Sequence, residues 1–219
     1  EKTFKSSGTT QSIRSNHHVA DLNLYETSFI KGFEHFYGNP EDFCFLALLP
    51  NYLEQGDSSL VYMMQKLIAL SYDSDSAFYL ENTSELNQVL KHKEAEQKPT
   101  ILIGVTYALL DFIEAFPQDL TKTIVMETGG MKGRKKELIR EEVHDLLSKG
   151  FGLNKIHSEY GMTELLSQAY SKGNGVFETP PWMQIKLRAI NDPFSPTTKA
   201  SGAINVIDLS NVYSCSFIA

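Results

Sequence analysis

Apolar positions along this chain fall into two textures, one with a period near 3.6 and one of short unbroken runs. Leu22, Tyr25, Phe29, Phe33 and Phe36 recur at spacings of three and four, which predicts an amphipathic helix ended by Gly38 and Pro40. FCFLALL then reads as a buried strand stopped by Pro50, and SSLVYMMQKLIALS as a helix with a serine near its N-cap. The alternation continues with AFYL (strand), SELNQVLKHK (helix), TILIGV (strand), TYALLDFIEAF (helix) and KTIVME, a strand running into TGGMKG. RKKELIREEVHDLLSKG predicts a helix with Ile139, Val143, Leu146 and Leu147 on one face and Gly150 at its end. KIHSEY follows as a strand and TELLSQAYS as a helix. From Trp182 onward, QIKLRAI, GAINVIDL and YSCSFIA read as three strands with no helix between them.

Repeated strand–helix alternation predicts an α/β fold: a largely parallel sheet flanked by helices, with a β-rich C-terminal extension. The expected division is an α/β core over 1–181 and an extension of the same unit over 182–219. The chain opens directly before a polar loop and stops inside the apolar run SCSFIA. The expectation is therefore part of a larger protein.

Of the 219 residues, 42% are hydrophobic and 21% charged, the balance of a soluble globular protein. A formal net charge of -7 argues against nucleic acid or acidic membrane as a partner. No apolar run is long enough for a membrane span, and the polar first ten residues do not form a signal peptide. Two cysteines without CxxC spacing argue against a disulfide framework or zinc knuckle, and a reducing cytoplasm is the expected setting. Cys44 lies in a wholly apolar strand, where burial raises a thiol's pKa. Cys215 lies between two serines with no nearby cation in sequence. Neither is expected to carry a covalent intermediate.

Chemistry concentrates in three loops. TGG after TIVME and YGMTE after IHSE follow the carboxyl ends of expected parallel strands, where ligands gather in open sheets. Gly129 and Gly130 allow positive φ and close backbone approach, or simply a tight turn. Gly161 permits a sharp turn, and Thr163 and Glu164 are expected to open the next helix, whose free N–H groups attract an anion. Glu164 is either a magnesium ligand or a helix-start charge. Tyr160 is either a stacking surface for a flat base or a core residue. In the opening FKSSGTTQSIRS, hydroxyls of Ser6, Ser7, Thr9 and Thr10 surround Gly8 without the lysine of a Walker loop. Adjacent His17 and His18 diverge on a strand or helix and make a poor metal pair. Lys132, Arg134, Lys135 and Lys136 form a basic cluster, read as a solvated charge run or an anion contact.

SSGTT, the later glycine pair and YGMTE, in this order and spacing, resemble the adenylate-forming acyl ligase superfamily. The wider stretches LALLPNYLEQGDSSLVYM, METGGMKGR and IHSEYGMTELLSQAYS are similar to the bacterial acyl-protein synthetases (LuxE type), over nearly the whole chain. Those enzymes supply fatty acids to a luciferase-associated reductase. The resemblance implies the core of the large N-terminal domain of such an enzyme, using ATP and magnesium. It places Ser6, Ser7, Gly8, Thr9 and Thr10 on the β- and γ-phosphates. Gln11 stands in place of the usual glycine, and Arg14 where lysine is common. Glu127, Thr128, Gly129 and Gly130 match the segment lining adenine and the acyl pocket, and Tyr52 lies in the region of an acyl-site aromatic motif. Tyr160, beside Gly161, matches the residue against adenine, Thr163 the α-phosphate contact and Glu164 the magnesium ligand. The same resemblance places the ribose-binding aspartate, the C-terminal lid domain with its lysine and much of the N-terminal subdomain outside this chain. The implied reaction activates a carboxylic acid, a fatty acid in the acyl-protein synthetases, to acyl-AMP and passes the acyl group to a protein thiol, of a partner protein or of a cysteine beyond Ala219. Transfer to CoA, and a noncatalytic nucleotide- or acyl-binding module, are the rival readings. Gln11 favours the last.

Overall fold

The computed structural model describes residues 1–6, 14–49, 56–80, 82–130 and 138–218. Ser7, Gly8, Thr9, Thr10, Gln11, Pro50, Tyr52 and the basic cluster Lys132, Arg134, Lys135 and Lys136 lie outside the described residues. The chain begins with two short strands, β1 (Lys2–Lys5) and β2 (Asn16–Val19), paired antiparallel, with the hydroxyl-rich loop between them. KTFK and NHHV are too short and polar for a sequence pattern to mark. On β2 the two histidines do diverge: His17 is buried and His18 exposed.

Helix α1 (Leu22–Tyr37) starts where the Asp21 carboxylate accepts a hydrogen bond from Asn23 N–H, and ends at Gly38. It buries Tyr25, Phe29, Phe33 and Phe36, the apolar face expected from their spacing. Phe33 packs 5.4 Å from Phe45 of β3 (Cys44–Leu48), centroid to centroid. Helix α2 (Ser59–Leu70) follows, with the Ser58 hydroxyl accepting from Val61 N–H at its start. Strand β4 (Ala77–Phe78), helix α3 (Thr83–Ala95), strand β5 (Thr100–Gly104), helix α4 (Thr106–Ala115) and strand β6 (Thr123–Glu127) continue the alternation. Helix α5 (Arg140–Phe151) and strand β7 (His157–Tyr160) complete it.

Six strands form the central sheet in the order β4-β3-β5-β6-β7-β8, all parallel except β8 (Ala169–Ser171), which runs antiparallel to β7 at the edge. Every residue of β3 and β5 is buried, which explains their unbroken apolar runs: helices cover both faces of such strands, leaving no polar face to alternate with. A separate antiparallel sheet, β11-β10-β9, is built from β9 (Met183–Arg188), β10 (Ala203–Asp208) and β11 (Phe217–Ile218). The α/β fold with its β-rich extension is as expected.

Two helical expectations need correction. In α5 the buried face is Val143, Leu147 and Phe151, while Ile139 and Leu146 are 62% and 44% exposed. Phe151 stacks 6.1 Å from Phe112 of α4, which rotates the helix so that this stripe faces inward, and Gly152, not Gly150, provides the left-handed cap. TELLSQAYS is not a helix. A turn closes it at Leu165 N–H to Met162 O, and the N–H groups of Leu166 and Ser167 donate to the buried Asp208 carboxylate at 2.8 and 3.0 Å. Amides captured in this way are lost to a helical ladder, and the chain turns into β8 instead.

Candidate active site

The carboxyl ends of β6 and β7 lie side by side, Glu127 opposite Ser158. After β6 the chain turns through Gly129 and Gly130 at φ 74° and 91°, the left-handed region that glycine enters without strain. Their carbonyls accept from Thr106 and Tyr107 N–H at 3.1 and 3.4 Å, which closes the start of α4 in place of a side-chain cap. Glu127 is the hub of this turn. Its buried carboxylate accepts from Gly129 N–H and the Ser158 hydroxyl at 2.7 Å each and from the Thr106 hydroxyl at 3.2 Å. His144 Nε2 lies 3.4 Å away and Arg140 Nε 3.6 Å away. Burial works against its ionisation, but the bonds from His144, Ser158 and Gly129, with the Arg140 charge, outweigh it and hold the group at about 2.

After β7 come Gly161, Met162, Thr163 and Glu164. With TELLSQAYS folded as a turn, Thr163 and Glu164 do not open a helix, so the expected anion site at a helix N-terminus is absent there. Gly161 serves a different end from the sharp turn expected of it. Its φ is not positive, but a Cβ there would lie 2.8 Å from Glu159 Oε1. The bare glycine leaves room for that carboxyl. Tyr160 is half-buried against Phe177, ring centroids 6.1 Å apart, and its hydroxyl donates to Met162 Sδ at 3.3 Å.

The hydroxyl-rich loop is pinned at its base beside this turn. Ser6 N–H donates to Ser15 O at 3.0 Å, Ser15 N–H to Ser6 Oγ at 2.9 Å and Arg14 Nε to Ser6 O at 2.6 Å. Asp57 holds the same base through Lys5 Nζ at 3.1 Å and an Arg14 guanidinium nitrogen at 3.5 Å. Ser15 Oγ then donates to Glu164 Oε1 at 2.6 Å, joining residues 149 positions apart. The side-chain amide of Asn211 holds the Glu164 carbonyl at 2.7 Å.

Between these parts lies a cleft of about 260 Å³. Thr128, Gly130, Gly161 and Thr163 line it from the two strand ends, Lys5 from β1, and Ser58, Ser59 and Leu60 from the start of α2. That helix start presents N–H groups and the positive end of a dipole, both favourable to an anion. Of the sites expected from sequence, Thr128, Gly130, Gly161 and Thr163 thus face one cleft, while Ser6, Arg14 and Glu164 cluster at the loop base. Glu127 and Gly129 border an adjoining hollow with Arg140 and Val143. Tyr160 does not line the cleft. Sequence reading missed Lys5, Ser15, Glu159, Gln168 and Asp208. None of them falls inside a motif, and Glu159 stands immediately before YGMTE.

An open, mostly parallel sheet with a cleft at its carboxyl edge belongs to the open α/β class, in which ligands gather at that edge. Within that class the chain is similar in fold to ATP-bound MatB from Rhodopseudomonas palustris, with a TM-score of 0.69 at 14% identity over 95% of this chain. Apo MatB from the same organism gives 0.66 at 12% identity, and an ATP-bound RpMatB-BxBclM chimera 0.67 at 13%, each over 95% of this chain. The chain spans 39% of the length of each of these structures. No protein-family model and no curated protein matches the sequence. Among the described residues, no helix is long and apolar enough to cross a membrane.

Proposed function

We propose that this chain is the nucleotide- and acid-binding core of an AMP-forming ligase. One observation carries the reading: the 2.6 Å contact from Ser15 to Glu164 ties the base of the SSGTT loop to the YGMTE turn, beside a cleft at the carboxyl edge of the sheet. The fold shared with a protein crystallised with ATP supports it. In this reading a substrate carboxylate oxygen attacks the α-phosphorus of ATP, the bond to the β-phosphate oxygen breaks, and acyl-AMP and pyrophosphate form. A thiol then attacks the acyl carbon and AMP leaves. Negative charge gathers on phosphate oxygens, so fixed donors supply much of the stabilisation. Thr163 offers a hydroxyl at the cleft, and Ser6, Arg14 and Ser15 fix the base of the SSGTT loop beside Glu164. Glu164 is a hard oxygen ligand with one oxygen occupied by Ser15, a donor type that fits magnesium, which would neutralise phosphate charge when bound.

Cys44 is fully buried, and burial pushes its thiol up to about 12, so it is not the acceptor. Cys215 is exposed but does not line the cleft. The acceptor in this reading is CoA or a protein cysteine outside these residues, in a partner or beyond Ala219, a protein thiol being favoured by the likeness to acyl-protein synthetases. The test is exchange of labelled pyrophosphate into ATP by the whole protein. Exchange should depend on an added carboxylic acid, and Glu164→Gln should slow it by about 100-fold, the scale of losing one preorganised charge-stabilising group. Undiminished exchange in that variant would remove Glu164 from the reaction, and no exchange with any acid would remove the reading.

A further inference from the structure

Two buried polar side chains in the cleft have no hydrogen-bond partner among the described residues. Gln168 is 5% exposed, and its Oε1 has no hydrogen-bond partner. Glu159 is 9% exposed, and among the described residues no donor reaches its carboxyl; burial and the charge of Glu127 are what act on it. The two are close neighbours, because the position of a Cβ on Gly161 is 2.8 Å from Glu159 Oε1 and 3.7 Å from Gln168 Cγ. Both line the same cleft. A buried acceptor left unpaired, as Gln168 Oε1 is, costs about 1–3 kcal/mol, and native folds rarely leave one without a reason. Glu127, one strand away, is surrounded by donors, so the fold does supply partners where structure needs them.

We propose that the acid activated in this cleft carries a hydrogen-bond donor, an amine or a hydroxyl, that reaches Glu159 and Gln168; this rests on the acid-activating reading above. Gln168 Oε1 can only accept, and the Glu159 carboxyl keeps an accepting oxygen in either protonation state, with an added O–H donor when protonated. The complement common to both is an N–H or O–H group. The Glu159 oxygens keep contact with the free cleft, where water can bond them, and an alkyl group that displaces that water forfeits those bonds. A second carboxylate would meet the charge of Glu127 one strand away. The remaining walls include Tyr25, Leu60, Met63 and Met162, which suit a short apolar body between the reacting carboxylate and the donor. Long-chain fatty acids, which lack the donor, would then be poor substrates.

Matched acids of equal chain length test this: an alkanoic acid and its hydroxy and amino derivatives, with the donor placed at successive carbons. Pyrophosphate exchange by the whole protein should give a donor-bearing acid a kcat/KM at least about 10-fold above the alkanoic acid, the worth of one hydrogen bond. Replacing both Glu159→Leu and Gln168→Leu should reverse the order, which a purely structural role would not do. Equal or better use of the alkanoic acid by the unmodified protein overturns the proposal. The unmodified ranking decides even where the double variant fails to fold. If no acid supports exchange, thermal stabilisation by the same acids without ATP decides separately. Selective stabilisation by donor-bearing acids supports the cleft chemistry, and equal or no stabilisation overturns it.

Discussion

Glu127 and Glu159 close neighbouring parallel strands at the same edge of one sheet, and both are at least nine-tenths buried. Glu127 is surrounded by an amide, two hydroxyls, a histidine and an arginine. Its carboxylate is held at about 2. Glu159 has none of these, and burial followed by the Glu127 charge pushes its carboxyl up to about 8. The same side chain thus does two jobs. Where the fold supplies donors the group organises a turn; where it withholds them beside a cleft, the missing partner points to a ligand.

The largest expected effect breaks the first half of this contrast. Glu127→Ala leaves the Ser158 and Thr106 hydroxyls and Gly129 N–H without their acceptor and removes a counter-charge from His144 and Arg140. Loss of a buried, multiply bonded charge costs about 3–5 kcal/mol, read as a lower urea midpoint at pH 7. A shift no larger than for an exposed glutamate would mean the hub is redundant.

The second half predicts an opposite dependence on pH. A carboxyl with a depressed folded pKa contributes stability above its unfolded value that is lost as pH falls; for Glu127 the window runs from 4.5 down to about 2. Glu159 is raised instead, so its contribution is present below 4.5 and is lost as pH rises to about 8. Glu159→Gln cannot ionise. It should match the parent protein at pH 4.5 and exceed it at pH 8, by on the order of 2 kcal/mol. Unfolding curves that stay parallel from pH 4.5 to 8 would show that Glu159 ionises freely. In Glu127→Gln, with the neighbouring charge gone, the Glu159 carboxyl should titrate lower, a shift that carbon NMR of labelled glutamate would follow.

These contrasts also mark what the sequence could tell. FCFLALL, TILIGV and TIVME were legible as buried strands, and the Tyr25–Phe29–Phe33–Phe36 spacing as a helix face, because each pattern is local. TELLSQAYS was not, since the group that unmakes its helix, Asp208, lies about forty residues away in a different sheet. The tie between Ser15 and Glu164 is longer still, and no local pattern encodes it. Motif order points to Thr163, Glu164 and the glycine turn at one sheet edge, and there Thr163 and Gly130 line the cleft while Glu164 stands at the loop base. It was silent on Glu159, one residue before the motif, because absence of a donor is a property of packing.

The smallest expected effect concerns Gly161. Its backbone does not require glycine, so the constraint on alanine there is the Glu159 oxygen 2.8 Å from the new Cβ. That oxygen is the far end of a side chain without hydrogen bonds to hold it, and it can rotate away into the cleft. Gly161→Ala should therefore cost at most about 1 kcal/mol, the scale of an off-rotamer side chain. In a Glu159→Ala background the clash disappears and the cost should fall to nearly nothing. A double-mutant cycle by urea unfolding measures the difference as a coupling between the two positions. Additive costs would show that Gly161 answers to the backbone, and that the Glu159 carboxyl is not the neighbour that makes this glycine necessary.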